Sequence, residues 1–314
     1  MNEYRTPVAS PTEQRNPRTT DIDLVPTLTL VTLINDEDLT VPDVVRAVLP
    51  ELAKLVDAAA ERISRGGHVR YFGAGTSGRL GYLDAAELLP TFGVPADLVV
   101  AHHAGGDAAL MLAVEDAEDD LDAGAKDAGA LRAVDVAIGL AASGYTPYVG
   151  SALQQAKVRG ALTALITANP SAPLSSVADH VLVADTGAEA IAGSTRLKAG
   201  TAQKLILNTF STALMVHLGH TFSNLMVDLQ ATNGKLRGRA VTLLAQATGL
   251  PEQQCEAALE MCGDLKTALL YLLADKSLDA SAQLCRDALM AADGRVRPAL
   301  LALNGTISVQ GGTA

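Results

Sequence analysis

Residues 73–80 read G-A-G-T-S-G-R-L, and the fold turns on what that run does. An apolar, strand-like stretch, His68-Val69-Arg70-Tyr71-Phe72, precedes it, and a helix-like stretch from Leu80 to Leu89 follows. Glycines allow backbone dihedrals closed to other residues and let the chain approach a ligand closely. Thr76 and Ser77 bring hydroxyls to the point where a helix starts, where unpaired N–H groups and the helix dipole favour an anion. The run predicts a phosphate cradle between a strand and a helix, with Gly75, Thr76 and Ser77 as its binding residues. It lacks the GK[ST] ending of a P-loop, and its third glycine comes early for a dinucleotide fingerprint. Taken alone, it reads equally well as a tight turn whose Ser77 caps a helix.

The surrounding chain favours the cradle. Strand-like runs at 68–72, 96–101, 135–140, 161–167 and 180–184 alternate with helix-like runs at 77–89, 107–121, 147–159 and near 173–178. Such alternation predicts an α/β fold, a parallel sheet with helices on both faces. Several of the strands are continuously apolar, as buried parallel strands are. Ligands of such sheets bind at the carboxyl ends of the strands, where the glycine run sits. Residues 1–20, with Pro7, Pro11, Pro17 and many polar groups, are expected to form a disordered arm. Helices are expected over 21–64 and a long helix over 198–218, continuing helically through 224–230. Beyond Gly193 no strand pattern recurs, and 239–303 reads as a small bundle of short helices. The domains expected are the arm 1–20, an α/β domain 21–235 with N-terminal helices, and an all-helical domain 236–314.

Composition bounds the function. The chain has 314 residues, 48% hydrophobic and 3% aromatic, with a formal net charge of -11. That balance argues against a nucleic-acid or anionic-membrane binder, so a phosphorylated ligand has to be held by a local site. No signal peptide and no long apolar run for a membrane span is visible, which reads as a cytoplasmic protein. Cys255, Cys262 and Cys285 form no CxxC pair; they read as packed thiols in a reducing compartment.

Two more hydroxyl-rich turns follow strand signals. Ser143, Gly144 and Thr146 lie in A-S-G-Y-T-P at 142–147, where Pro147 fits the first turn of a helix. The run 189–204, E-A-I-A-G-S-T-R-L-K-A-G-T-A-Q-K, places Ser194 in a loop before a helix and Lys204 on that helix. Glu87 is i+7 from Leu80 and i+4 from Leu83, which predicts a carboxylate on an apolar stripe, suited to a general acid. An unbroken helix separates it from Ser77 by about 15 Å, so either Gly81 breaks the helix or Glu87 serves a site on a second subunit. The acidic run 115–120 reads either as a solvated helix face or, with Glu118 i+4 from Val114 and i+7 from Met111, as one whose Glu118 edges the apolar side. The run fits no calcium loop, and no histidine pattern builds a metal or triad site.

G-A-G-T-S-G-R-L-G at 73–81, A-G-G at 104–106, E-D-A-E-D at 115–119, A-S-G-x-T-P-Y-V at 142–149, G-S-T-R-L-K-A-G-T-A-Q-K at 193–204 and N-L-M-V-D at 224–228, in that order, resemble the N-acetylmuramic acid 6-phosphate etherase family. The resemblance extends from about residue 22 to the C-terminus. It implies a sugar isomerase (SIS) domain with a flavodoxin-like parallel sheet, a helical C-terminal domain, and a homodimer with sites near the subunit interface. It implies N-acetylmuramic acid 6-phosphate as substrate and no metal or organic cofactor. It places the acid on Glu87 of the D-A-x-E motif and the base on Glu118. Tyr145 stands where the family usually has Arg, His102 and His103 stand where it has aliphatic residues, and the 169–172 turn also departs. The alternatives are a phosphosugar isomerase and a non-enzymatic phosphosugar-sensing regulator; the basic helix-turn-helix of a DNA-binding regulator is not visible.

Overall fold

The computed structural model describes residues 9–112, 114–229, 234–275 and 280–305. In chain order the first elements are α1 (Thr27–Asp38), α2 (Val41–Ser64), β1 (Val69–Gly73), α3 (Gly75–Phe92), β2 (Val99–His103), α4 (Ala108–Met111) and α5 (Leu121–Asp127). There follow β3 (Val136–Leu140), α6 (Pro147–Val158), β4 (Leu162–Thr167), β5 (His180–Val183) and α7 (Lys198–His217). Beyond these come a two-stranded hairpin of β6 (Thr221–Phe222) and β7 (Leu225–Met226), then α8 (Gly234–Thr248), α9 (Glu252–Cys262), α10 (Leu265–Leu273), α11 (Ala282–Ala291) and α12 (Val296–Gly305). The chain divides into two compact units. One comprises the residues up to Ala86 together with Ala96–Leu214; the other comprises Glu87–Pro95 and the residues from Met215 on.

The first unit is built on a five-stranded parallel sheet in the order β2-β1-β3-β4-β5. This is the flavodoxin-like order expected from the family, and all five strand signals in the sequence became strands. Side chains of a strand alternate between faces. Phe72, Ala137 and Leu165 pack with Tyr148, Val149 and Leu153 of α6 on one face. On the other, Tyr71 meets Phe210 of α7 edge-on at 6.5 Å.

Three expectations are corrected. The helix expected over 107–121 is two short helices with a 3-10 turn, Ala117–Asp119, between them. The first of them ends where Leu112 turns extended (φ −126°, ψ 149°), and Asp116, ahead of the 3-10 turn, has φ of 58°. The helical continuation expected over 224–230 is instead the β6–β7 hairpin, with Ser223 at φ 54° in its turn; Gln230 lies outside the described residues. Residues 9–20, expected within a disordered arm, are ordered, while 1–8 lie outside the described residues. Two 3-10 turns there, Pro11–Glu13 and Pro17–Thr19, are tied to a distant loop. Gly193 N–H donates to the Thr12 carbonyl at 2.9 Å, Asn16 Nδ2 to the Ala188 carbonyl at 3.2 Å, and Thr19 Oγ1 to the Ala190 carbonyl at 2.8 Å.

A buried ion network closes this region. Glu37, 2% exposed, takes Arg18 Nε at 2.5 Å and Arg18 Nη2 at 2.7 Å on one side and the ammonium of buried Lys198 at 2.7 Å on the other. The hydrogen bonds from Arg18, with those from Lys198, outweigh desolvation and hold the Glu37 carboxyl down to about 2.

The second unit is a bundle of short helices with the hairpin against it. Val227 and Leu229 join a core with Leu259, Leu269 and Leu289, and the three free cysteines are buried in the same core. Burial pushes the Cys262 thiol up to about 11, so it behaves as a small apolar group. Asp228, the last residue of the N-L-M-V-D motif, accepts from Lys266 Nζ at 2.6 Å and pairs with His220 Nδ1 at 2.6 Å. Among the described residues, no helix is long and apolar enough to cross a membrane.

Removing one member of a buried ion network leaves an uncompensated charge and costs about 3–5 kcal/mol. Glu37→Gln is expected to lower unfolding free energy by that order at neutral pH. A carboxyl depressed to about 2 stabilises the fold at pH above its ordinary value, and that contribution is lost as pH falls toward 2. The gap between wild type and Glu37→Gln should therefore narrow on acidification in denaturant titrations; a gap independent of pH would assign the loss to packing.

Candidate active site

Parallel register brings the strand ends level. Gly73 at the end of β1 lies opposite His103 of β2 and Leu140 of β3. The chain leaves the sheet at these adjacent points, and the helix after each turn exposes unpaired amides.

The turn after β1 holds Gly75, Thr76 and Ser77 in the first turn of α3. Gly75 has φ of 53°, which swings the backbone into the helix. α7 packs across this turn: the position a side chain would occupy on Gly200 is 3.6 Å from Thr76 Cγ2 and 3.8 Å from Leu80 Cδ1. Three residues further along α7, Gln203 Oε1 accepts from Ser77 Oγ at 2.8 Å. The seam continues at buried Asp84 of α3. One of its carboxylate oxygens accepts from Asn208 Nδ2 and Ser211 Oγ, each at 2.9 Å, and the other from the Tyr71 hydroxyl at 3.0 Å. Burial raises the Asp84 carboxyl, and these three donors hold it back toward the charged form.

A cavity of about 260 Å³ opens beside the start of α3. Gly75, Arg79, His103, Ala104, Glu115 and Glu118 are among the residues lining it. The structure thus brings one predicted cradle residue, Gly75, to the same cavity as Glu118. Glu118 arrives on the 3-10 turn Ala117–Asp119 and is exposed, with Met111 and Val114 exposed too. The helical periodicity that pointed to it is absent; a loop delivers it. Arg79 organises that loop, donating from Nε to the Leu110 carbonyl at 2.8 Å and from Nη2 to the Ala109 carbonyl at 2.7 Å. His103, nearly buried, sets its ring nitrogens 2.7 Å from the Ala104 carbonyl and 3.1 Å from the Gly75 carbonyl. His102 stacks on Phe72 at 5.0 Å, and burial lowers its pKa.

Ser143, Gly144 and Thr146 form the turn after β3. Gly144 has φ of 72°, and a Cβ there would overlap Ala172. Buried Asn169 donates to the Ser143 carbonyl at 2.8 Å, and Tyr145 N–H donates to Ser143 Oγ at 3.3 Å. Thr146 precedes α6 without a side-chain cap, and Pro147 starts the helix. Ser194 lies in the turn before α7, its N–H on the Ile191 carbonyl at 2.9 Å. Lys204 is on α7 and exposed. None of these five residues lines the 260 Å³ cavity.

Glu87 belongs to the second compact unit and is exposed. The stripe assigned to it from Leu80 and Leu83 is out of phase: Leu83 is 54% exposed, and the buried line is Gly78, Gly81, Asp84 and Leu88. Gly81 is where the error arose, because Leu140 and Tyr71 approach it too closely for a side chain. The residues missed from sequence were Arg79, Asp84 and Gln203. Asp84 was legible in principle, being i+7 from Ser77 on the same helical face. Among the described residues, no group of three or more His, Cys, Asp or Glu side chains is placed to hold a metal ion.

The chain is similar to known proteins over most of its length. The family described as glucokinase regulatory protein N-terminal SIS domain matches residues 51–157, and the SIS domain family matches residues 113–213. The N-acetylmuramic acid 6-phosphate etherase of Thermobifida fusca (strain YX) is 59% identical over 268 residues, spanning 85% of this chain and 88% of that protein. The protein of the same name from Yersinia pestis (strain Pestoides F) is 49% identical over 274 residues, spanning 86% and 93%. Among solved structures, a phosphoheptose isomerase from Francisella tularensis aligns with a TM-score of 0.50 at 19% identity, over 61% of this chain and 100% of that one, a likeness of fold.

The two left-handed glycines differ in what surrounds them. Gly75→Ala meets open space and is expected to cost only left-handed strain, about 1–2 kcal/mol. Gly144→Ala adds overlap with Ala172 and is expected to cost distinctly more. Chemical denaturation of both variants checks this; equal losses would mean the 169–172 turn yields freely.

Proposed function

The chain belongs to the N-acetylmuramic acid 6-phosphate etherase family, and from that premise we propose how its residues divide the work. It is a carbon–oxygen lyase of cell-wall amino-sugar recycling, cleaving the D-lactyl ether of N-acetylmuramic acid 6-phosphate to N-acetylglucosamine 6-phosphate and D-lactate. The 59% identity across 268 residues carries that assignment. What supports the division of labour is the cavity that Glu118 shares with Gly75.

In the opened sugar, the C1 aldehyde makes the C2 proton acidic. Glu118 removes it, and the electron pair forms the C2–C3 double bond as the C3–O bond to lactate breaks. Glu87 protonates the departing oxygen. Water then adds at C3 and a proton returns to C2, so the net change is addition of one water across the ether. Backbone amides at the starts of α3 and α6 hold the phosphate with Gly75, Thr76, Ser77, Ser143, Gly144 and Thr146, and Ser194 and Lys204 add a hydroxyl and a positive charge. Tyr145, where the family has Arg, leaves one cation fewer near the site.

Exposed Glu87 gains a working environment when a second copy of the chain covers it. The enzyme therefore works as a cytoplasmic homodimer, with Glu87 of one copy completing the site of the other. Binding energy comes from the phosphate grip and the rate from the two carboxylates, each contributing about 10²–10⁴-fold.

Incubation with N-acetylmuramic acid 6-phosphate should release D-lactate. Glu87→Gln and Glu118→Gln should each lower kcat by about 10²-fold or more with little change in KM. Interconversion of sugar phosphates without lactate would make the chain an isomerase, and binding without turnover would make it a sensor. Mixing the two inactive variants should restore part of the activity, because a mixed dimer with Glu87 acting across the interface keeps one intact site. No recovery from mixed dimers would place both glutamates in one subunit.

A further inference from the structure

Gln203 is 3% exposed, and its two amide ends are treated unequally. Oε1 accepts the Ser77 hydroxyl proton at 2.8 Å. Nε2 is buried and, among the described residues, has no hydrogen-bond partner. A methionine of similar length would fill the same space without leaving a donor unpaired, so packing does not account for the amide. The neighbouring rung of the seam behaves differently, since Asp84 is matched by three donors.

Ser77 has a single proton to give, and a sugar-phosphate dianion offers only acceptors. While that proton points at Gln203 Oε1, Ser77 has no hydrogen to donate to a phosphate oxygen. A half-turn of the carboxamide exchanges two ends of nearly equal size. Nε2 then donates to Ser77 Oγ, and the serine proton is free to turn toward the ligand. The result is a directed chain in which amide donates to hydroxyl and hydroxyl donates to phosphate, each bond polarising the next.

We propose that Gln203 is a positioning residue for the phosphate grip: it presents Nε2 to Ser77 Oγ when the phosphosugar is bound and so aims the Ser77 hydroxyl at the phosphate. This rests on the reading of Ser77 as a phosphate ligand.

The test measures the inhibition constant of inorganic phosphate and the KM for N-acetylmuramic acid 6-phosphate. Gln203→Glu and Gln203→Met are compared in the wild-type and Ser77→Ala backgrounds, with the thermal midpoint followed throughout. Ser77→Ala alone should weaken both constants about tenfold, the order of one charge-assisted hydrogen bond. If it changes nothing, Ser77 is no phosphate ligand and the proposal falls with that reading. Gln203→Glu supplies only acceptors and should weaken phosphate at least as much as Ser77→Ala, but by clearly less once Ser77 is already alanine. Gln203→Met leaves the serine proton free and should cost less than Gln203→Glu. The proposal is overturned if Gln203→Glu has the same effect in both backgrounds, which is charge repulsion alone. It is also overturned if Gln203→Met loses as much as Gln203→Glu, which is packing.

Discussion

Parallel pairing at the centre of the sheet is the constraint on which the site depends. With Gly73 level with Leu140, the chain must leave β1 and β3 side by side. From β1 it crosses toward β2, and from β3 it crosses the other way toward β4. Right-handed crossovers running in opposite directions put their helices on opposite faces. That is why α6 packs on the Phe72 face while α3 sets Gly81 and Asp84 against Tyr71 on the other. The crevice between the diverging turns is the switch point at which open α/β sheets bind ligands. A register slip of one residue would turn Phe72 and Tyr71 to each other's face and dissolve both cores.

A second layer of constraint is the seam between α3 and α7. It pairs Ser77 with Gln203 and Asp84 with Asn208, Ser211 and Tyr71. Gly81 lets α3 sit close on Tyr71 and Leu140, and polar side chains then fix its rotation about its own axis. A purely apolar contact between these helices would allow small rotations at little cost. A buried carboxylate with three donors does not, because each rotation leaves a polar group unpaired. The first turn of α3 and the loop anchored by Arg79 take their positions from this fixed helix.

The strands were legible because a parallel strand covered on both faces must be apolar throughout, and 136–140 and 162–167 are buried almost without interruption. The glycine turns were legible because their conformations exclude most other residues. The face of α3 was misread because leucines mark a packed face only where helices are a side chain apart; here glycine and aspartate mark it. The break after Met111 comes from extended Leu112, and the hairpin turn from left-handed Ser223; neither residue type announces such a conformation in sequence. The order in residues 9–20 depends on carbonyls of Ala188 and Ala190, some 170 positions away, and no local pattern carries such a pairing.

Charge placement decides which of the three hydroxyl turns has a grip left for a phosphate. The start of α7 is already occupied: Glu189, fully buried, accepts the N–H groups of Lys198 and Ala199 at 2.9 Å each. Burial raises that carboxyl, and the two amides together with Lys198 hold it back. The Lys198 ammonium, the nearest buried cation, is engaged by Glu37. Ser194 therefore stands beside a helix terminus whose dipole is answered from within the chain. The start of α6 carries no side-chain cap, and the start of α3 offers the Ser77 hydroxyl. In a chain with a net charge of -11 the general field repels a phosphate dianion. On the reading proposed for the site, its binding energy comes mainly from short-range amide and hydroxyl donors at α3 and α6, with Ser194 and Lys204 as additions, and the direction of each hydroxyl proton then decides the strength of the grip.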